Sequence, residues 1–341
     1  MSAPAAANTP SPIPIFDTLT AYQRANALKA AIELEVFTAI GEGNETSEAV
    51  ARRCSASPRG MRILCDYLAT NGFLRKEGNR YKLTPESALF LDKRSPAYIG
   101  SVTVFLNSPL LADHFSSLTE AVRKGGTASK TQGTIAPDNP VWVEFARGMA
   151  PMMAMPADRI ADVLNIRDAG KCKVLDIAAG HGMFGITLAR LNPAAEVHAV
   201  DSPNVLALAK ENAHKAGVGA RHHLLPGSAF DVHFGEGYDV VLLTNFLHHF
   251  DAPTCESLLR KCHAALKPGG RVATLEFVPN DDRVTPSHSA GFSLVMLAST
   301  PSGDAYTFRE LETMFKNTGF ARNEIHELPP TPQHLVISHK S

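Results

Sequence analysis

The stretch VLDIAAGHGMFG at 174–185 constrains this chain more than any other. An apolar run ends beside an acid, a glycine-rich turn follows, and a helical pattern opens directly after it. Gly180 and Gly182 let the backbone approach a ligand closely, and the N-terminus of the following helix offers unpaired N–H donors. A second run, EVHAVD at 196–201, closes on Asp201, about 20 residues beyond the glycines. A carboxylate there can accept both hydroxyls of a ribose. Strand, turn, helix and strand in this order point to a cofactor containing adenosine. A dinucleotide site carries G-x-G-x-x-G and sets the helix dipole on pyrophosphate. Here Asp176 stands just before the turn. Its carboxylate would repel pyrophosphate but tolerate the ammonium of a bound amino acid, which favours S-adenosylmethionine (SAM) over NAD. A tight turn that binds nothing is the remaining reading.

From Cys172 onward, the runs KVLDIAA, EVHAVD, HHLLPG, YDVVLLTN and RVATLEFVP alternate with helical patterns such as PNVLALAKENAHKAG. This predicts an open, mostly parallel α/β sheet with helices on both faces. The last two runs, NEIHEL and HLVISHK, are joined by PPTPQ. That link is too short for a crossover helix, so the final pair is predicted to be antiparallel.

Upstream, Leu19, Tyr22, Ala25, Leu28, Ile32 and Val36 recur at helical spacing from Phe16 to about Ile40, until GEG at 41–43. Thr46 suits a helix cap, Ser57-Pro58 opens a second helix that Gly72 ends, and FLRKEGNRYKLT reads as a two-stranded wing turning at Gly78-Asn79. The expected segments are a flexible leader (1–14), a winged-helix domain (15–105), a helical segment (106–170) interrupted by a surface loop at 123–140, and a SAM-binding domain (171–341). Within the third segment, Met149, Met152, Met153 and Met155 are candidates to line a ligand pocket, since methionine adapts to flat shapes.

A net charge of −1 gives no electrostatic case for nucleic acid or a membrane surface. The five cysteines lack C-x-x-C spacing and read as reduced thiols. No apolar run is long enough to span a membrane, and MSAPAAANTPSPIP has no signal-peptide core, so a soluble cytoplasmic chain is expected. Adjacent strand residues face opposite ways, so neither His222-His223 nor His248-His249 has metal-ligand spacing, and no metal is expected.

The segments VLDIAAGHG, VDSPNV, PGSAF, LTNFLHHF, LKPGGRVATLEFV, VMLAS and YTFRELETMFKNTGF resemble those of class I SAM-dependent methyltransferases. With the winged helix, the chain resembles the small-molecule O-methyltransferases of the caffeate, hydroxyindole and polyketide type. The resemblance implies a Rossmann-like sheet, a homodimer made by the N-terminal domain and no DNA binding. It also implies SAM held by Asp176, Ala178, Gly180, Gly182, Asp201, Ser202, Ser228, Ala229, Phe230, Thr244 and Asn245. Ala178 stands where the family's first glycine does, and Ser228 replaces the Asp that holds the adenine amino group. Ser228 would then recognise adenine through its hydroxyl or a water, and adenine would rely on stacking or edge contact with Phe230 and Ala229.

A general base helps a phenol attack near neutral pH, and histidine suits that work. Phe246–Phe250 fall at the carboxyl edge of the fourth run, where such sheets bind ligands. The resemblance assigns the base to His248, while His249 stands where the family has an acid and receives no role. Glu276 closes the neighbouring run and can orient the imidazole. The family's second orienting carboxylate is replaced by Ala305, leaving Asp304 beside it. Phe145, Met149, Met153, Phe246, Phe292 and Met296 are the candidate acceptor wall. Two other readings stay open: C- or N-methylation driven by proximity, and a SAM-responsive DNA-binding regulator using Arg59, Arg62, Arg75, Lys76, Arg80 and Lys82.

Overall fold

A computed structural model describes residues 10–129 and 141–341. Residues 1–9 of the expected leader and 130–140 of the expected loop lie outside the described residues. The chain divides into two compact units after Thr103.

In the first unit, the single helical stretch expected from Phe16 is three helices, Ile13–Leu19, Ala21–Glu33 and Val36–Gly41. The first begins inside the expected leader, with Pro14 in its opening turn, where a missing N–H costs nothing. Glu35 interrupts the run with a left-handed backbone, φ 58°. Apolar spacing could not reveal these breaks, because much of the early pattern does not mark this unit's own core. Ile13, Ile15, Phe16, Leu19 and Tyr22 are all 61% or more exposed, leaving an uncovered apolar face. The core is formed instead by Val36, Phe37, Met61, Leu68 and Tyr81.

Thr46 Oγ1 accepts from Ala49 N, and Ser57 Oγ accepts from Gly60 N, capping the helices Ser47–Arg53 and Pro58–Thr70. An antiparallel pair follows, β1 (Leu74–Glu77) and β2 (Arg80–Leu83), turning at Gly78 with φ 61°.

The second unit is built on a seven-stranded sheet. Its strands are β3 (Cys172–Ile177), β4 (Ala195–Asp201), β5 (His222–Pro226), β6 (Tyr238–Thr244), β7 (Leu266–Glu276), β8 (Phe320–Glu327) and β9 (His334–Lys340). The order is β5-β4-β3-β6-β7-β9-β8. β3 to β7 run parallel, and β9 lies antiparallel between β7 and β8, as the short PPTPQ link requires. Alternation along each strand feeds two cores. Val174, Val197 and Val240 pack towards the helices Val141–Val163 and Met183–Leu191. Leu175, Val241 and Leu243 pack towards Ala252–Ala265 and Phe308–Asn317 on the other face. No described helix is long and apolar enough to cross a membrane.

One contact locks the first helix onto the sheet. Asp176 Oδ2 accepts from Gly185 N at 3.0 Å, and both residues are buried. Gly185 makes this approach possible. A Cβ there would stand 2.6 Å from Val197 Cγ1 and 2.8 Å from Asp176 Oδ2. The second oxygen, Asp176 Oδ1, is buried without a partner. Burial therefore pushes the Asp176 carboxyl up to about 7, reinforced by the nearby Asp201 charge.

Two predictions follow from this lock. Adding a methyl to a helical glycine ordinarily gains up to ~1 kcal/mol, but Gly185→Ala is expected to destabilise the protein by about 1–3 kcal/mol through overpacking. Denaturant unfolding checks the sign. Asp176 has a folded pKa raised above its unfolded value, so its contribution is full in acid and is lost as pH rises through about 7. Asp176→Asn cannot ionise, so its stability relative to wild type should improve as pH rises from about 5 to about 7 and then level off. A pH-independent difference in thermal midpoint would show that the group is not titrating in that window.

Candidate active site

A cavity of about 320 Å³ opens where β3, β4 and β6 end. The turn after β3 shapes one wall. Ala178, Gly180 and Gly182 all adopt left-handed backbone, φ 53°, 57° and 75°. Glycine takes this conformation freely, whereas Ala178 does so at a cost of roughly 1–2 kcal/mol. Asp201 fastens the turn to the next strand: Oδ2 accepts from Gly180 N at 2.9 Å and Oδ1 from Ser202 N at 2.7 Å. Its carboxyl is held above the usual carboxylate range by burial. In the neighbouring loop, Ser228 Oγ accepts from Phe230 N at 3.2 Å. Lys261, on the helix behind, donates to the carbonyls of Ala229, Phe230 and Val232 at 2.8, 2.6 and 3.2 Å. That ammonium holds the loop in shape, a role that no motif around Lys261 announces.

The expected cofactor residues fall into two groups. Ala178, Gly180, Asp201, Ser202, Ser228, Ala229, Phe230, Thr244 and Asn245 line the cavity. Asp176 and Gly182 lie behind it. The Asp176 side chain is fully buried beneath the turn on Gly185 N, so it supports the wall rather than facing a ligand's ammonium. Gly182 ends the turn as the cap of the helix Met183–Leu191.

The β6 edge forms the opposite wall. Asn245 takes left-handed backbone, φ 55°, and a single 3-10 turn carries Leu247–His249. Glu276, at the end of adjacent β7, organises that turn. Its Oε1 accepts from Phe246 N at 3.0 Å and Leu247 N at 2.9 Å, while Oε2 meets His248 Nδ1 at 2.5 Å. His248 and Glu276 are both buried, 5% and 3% exposed. With the carboxylate taking Nδ1, Nε2 is the His248 nitrogen left to meet a ligand. The Phe292 ring lies edge-on to His248 at 4.8 Å. Asp304 does not join this pair: it bonds to Arg283 at 3.2 Å and to Ala305 N at 2.8 Å, with its side chain 38% exposed. The nearby guanidinium is the stronger partner for an exposed carboxylate.

His248 itself does not line the cavity, whereas His249 does. Of the expected acceptor wall, Phe145, Met153 and Phe246 line it. Met149 packs against the core, Met296 is buried, and Phe292 stacks on Phe277 at 4.2 Å. Phe145, Met149 and Met153 sit four residues apart on one helical face, while Met152 and Met155 are exposed. Trp142, His181, Gly227 and Phe250 also line the cavity. His181 and Gly227 stood inside recognised motifs. Trp142, the chain's single tryptophan, lies three residues from Phe145, and their rings meet at 5.4 Å. His181 Nδ1 accepts from Met183 N at 3.0 Å, and burial lowers the ring to about 4, so it stays neutral.

His222 is buried while its neighbour His223 is exposed. Register then sets His223 beside His198, and Glu196 joins them, with ligand atoms within 4.8 Å of one another. This group sits near the start of β4, at the other end of the strand from Asp201.

The O-methyltransferase domain family matches residues 115–321, and the O-methyltransferase dimerisation domain family matches residues 16–93. The chain is 29% identical over 314 residues to 3-hydroxy-5-methyl-1-naphthoate 3-O-methyltransferase of Streptomyces sahachiroi, covering 90% of this chain and 89% of that protein. A Nostoc punctiforme protein assigned to the O-methyltransferases is 53% identical, and its crystal structure matches with a TM-score of 0.94 over 97% of this chain and 100% of that one. Human N-acetylserotonin methyltransferase, solved with SAM, shares the fold at 20% identity, with a TM-score of 0.85 over 99% of each chain. A catalytic-domain match over more than half of the chain, preceded by the dimerisation domain, places this protein in the SAM-dependent O-methyltransferase family.

Proposed function

We propose that the protein is a homodimer that methylates a hydroxyl of an aromatic or polyketide-like small molecule, with His248 as general base. The observation that carries this reading is the 2.5 Å bond between His248 Nδ1 and Glu276, set behind His249 in the turn that walls a cavity built around Asp201. The cavity residues fit SAM. Asp201 stands where ribose hydroxyls would be received, Ser228 and Phe230 suit the adenine edge and face, and the Gly180 turn suits the amino-acid end. When bound, the sulfonium supplies an activated methyl group. His248 Nε2 takes the hydroxyl proton as the oxygen attacks, and Glu276 stabilises the imidazolium that forms. Phe145, Phe230, Phe246 and Phe250 keep water from the reacting atoms. The reading invokes no metal; Asp201 is the only carboxylate among the described cavity residues.

The N-terminal winged-helix order serves dimerisation in this proposal. The uncovered apolar face supports it, as does the pairing of the cations a DNA-binding reading would need. Arg62 and Lys76 pair with Asp66, Arg80 with Glu45, and Lys82 with Glu77.

His248→Ala is expected to lower kcat by about 10²–10⁴-fold, with affinity for S-adenosylhomocysteine unchanged by calorimetry. Glu276→Gln, which offers Nδ1 a donor in place of an acceptor, should also lower kcat, by ~10-fold or more. Near-normal turnover in His248→Ala would exclude the base and leave methylation of carbon or nitrogen by proximity.

A further inference from the structure

His249 lines the cavity, yet methyl transfer as described leaves it idle. Its ring centroid is 4.3 Å from that of His248, and it meets Trp142 edge-on at 5.5 Å and Phe246 at 6.4 Å. Nδ1 is sealed from solvent and has no hydrogen-bond partner. Nε2 is therefore the nitrogen through which this ring can meet a ligand. Burial, with His248 beside it, holds the ring well below the usual imidazole range, so it is neutral near pH 7 and carries one proton. On Nδ1 that proton would be a buried donor with nothing to receive it, which is unfavourable. Orphaned acceptors are tolerated better than orphaned N–H groups. The proton belongs on Nε2, and the cavity meets a hydrogen-bond donor.

We propose that His249 positions the acceptor by donating from Nε2 to an oxygen that cannot donate back: a carbonyl or carboxylate ortho or peri to the hydroxyl being methylated. This rests on the methyl-transfer reading, in which His248 takes that hydroxyl's proton. The two ring centroids are 4.3 Å apart, so a ligand oxygen held by His249 stands close to the His248 ring behind it. In hydroxy-carbonyl aromatics an internal hydrogen bond ties up the hydroxyl proton. Donation from His249 competes for the carbonyl lone pairs and frees that proton for His248. An acid at position 249, as the resembling family has, would offer acceptors only and suit a second hydroxyl. Histidine reverses the polarity of this contact, so the preferred acceptors are hydroxy-carbonyl aromatics rather than catechols.

The test compares 3-hydroxy-2-naphthoate, 2,3-dihydroxynaphthalene and 2-naphthol as acceptors for wild type, His249→Phe, His249→Gln and His249→Asp. Ratios of kcat/KM are read within each variant, so a general loss of folded enzyme cancels. Wild type should favour hydroxynaphthoate over the diol by ~10-fold or more. His249→Phe should lose about 10- to 100-fold on hydroxynaphthoate relative to 2-naphthol in the same variant, mostly in KM. His249→Gln, which keeps an N–H donor, should recover part of the loss, and His249→Asp should turn the preference to the diol. A wild-type preference for the diol, or a His249→Phe loss shared equally by all three acceptors, overturns the proposal. His248→Ala separates the two readings. Retained kcat on 2-naphthol defeats the base while the acceptor ratios still judge His249, and lost kcat on every acceptor leaves the base standing whatever those ratios show.

Discussion

The site depends on a single buried carboxylate that is fully used. Glu276 ends β7 and takes two backbone N–H groups and one imidazole from the turn that follows β6. The strands supply the alignment: Thr244 pairs with Leu275, and Asn245 N donates to Leu275 O at 2.8 Å, so the turn leaves β6 directly beside the carboxylate. Satisfying Phe246 N and Leu247 N here removes two orphan donors that a 3-10 turn would otherwise bury. The same bonds fix the direction of His248. Other contacts close in around the turn. Tyr306 donates to Phe250 O at 2.6 Å, and Gly303 passes so near that an added Cβ would stand 2.2 Å from His248 O. A shift of this turn would have to break several of these contacts together.

The cofactor side uses the same device with different outcomes for its two acids. Asp201 accepts from Gly180 and Ser202, and it still lines the cavity. Asp176 accepts once, from Gly185, and its other oxygen is sealed without a partner. Burial alone does not decide what a carboxyl can do; the number of donors it reaches does. With one donor, Asp176 becomes a packing element whose charge is costly. Asp201 keeps an open approach for a ligand. The left-handed Ala178 shows that the turn's geometry is enforced by this framework, since alanine would not choose it freely.

Much of this architecture was legible in the residues, and the exceptions share a cause. The strands β3, β6 and β7 are buried on both faces and read as continuous apolar runs, and the short PPTPQ link made the antiparallel final pair visible. The breaks at Thr20 and Glu35 were not, because an apolar face uncovered within the unit has the same period as one facing its core. Side-chain direction was harder still. The sequence placed two histidines at the β6 edge, but a 3-10 turn sends successive side chains about 120° apart. Only the turn's anchoring on Glu276 decides that His249, not His248, borders the cavity. Asp304 failed as an orienting group for a related reason, since the Arg283 that captures it lies 21 residues away in the chain. Cross-strand meetings such as His198 with His223 require register, which residue spacing within one run does not contain.

The polar groups of the cavity are few and sit on separate sides of an aromatic span. Asp201, Ser202 and Ser228 belong to the β4–β5 side, while Thr244, Asn245 and His249 belong to the β6 side. Between them, Phe230 meets Phe250 at 5.0 Å, and Phe250 meets Phe246 at 5.1 Å. Such walls gain by covering flat apolar surface and offer no competing hydrogen bonds. Orientation of a ligand must then come from the two polar ends. One end carries acceptors suited to hydroxyls and amines; the other presents a neutral imidazole with the His248–Glu276 pair close behind it. A cavity divided in this way can hold two different molecules in one line, and that relative placement is what an in-line methyl transfer needs from its protein.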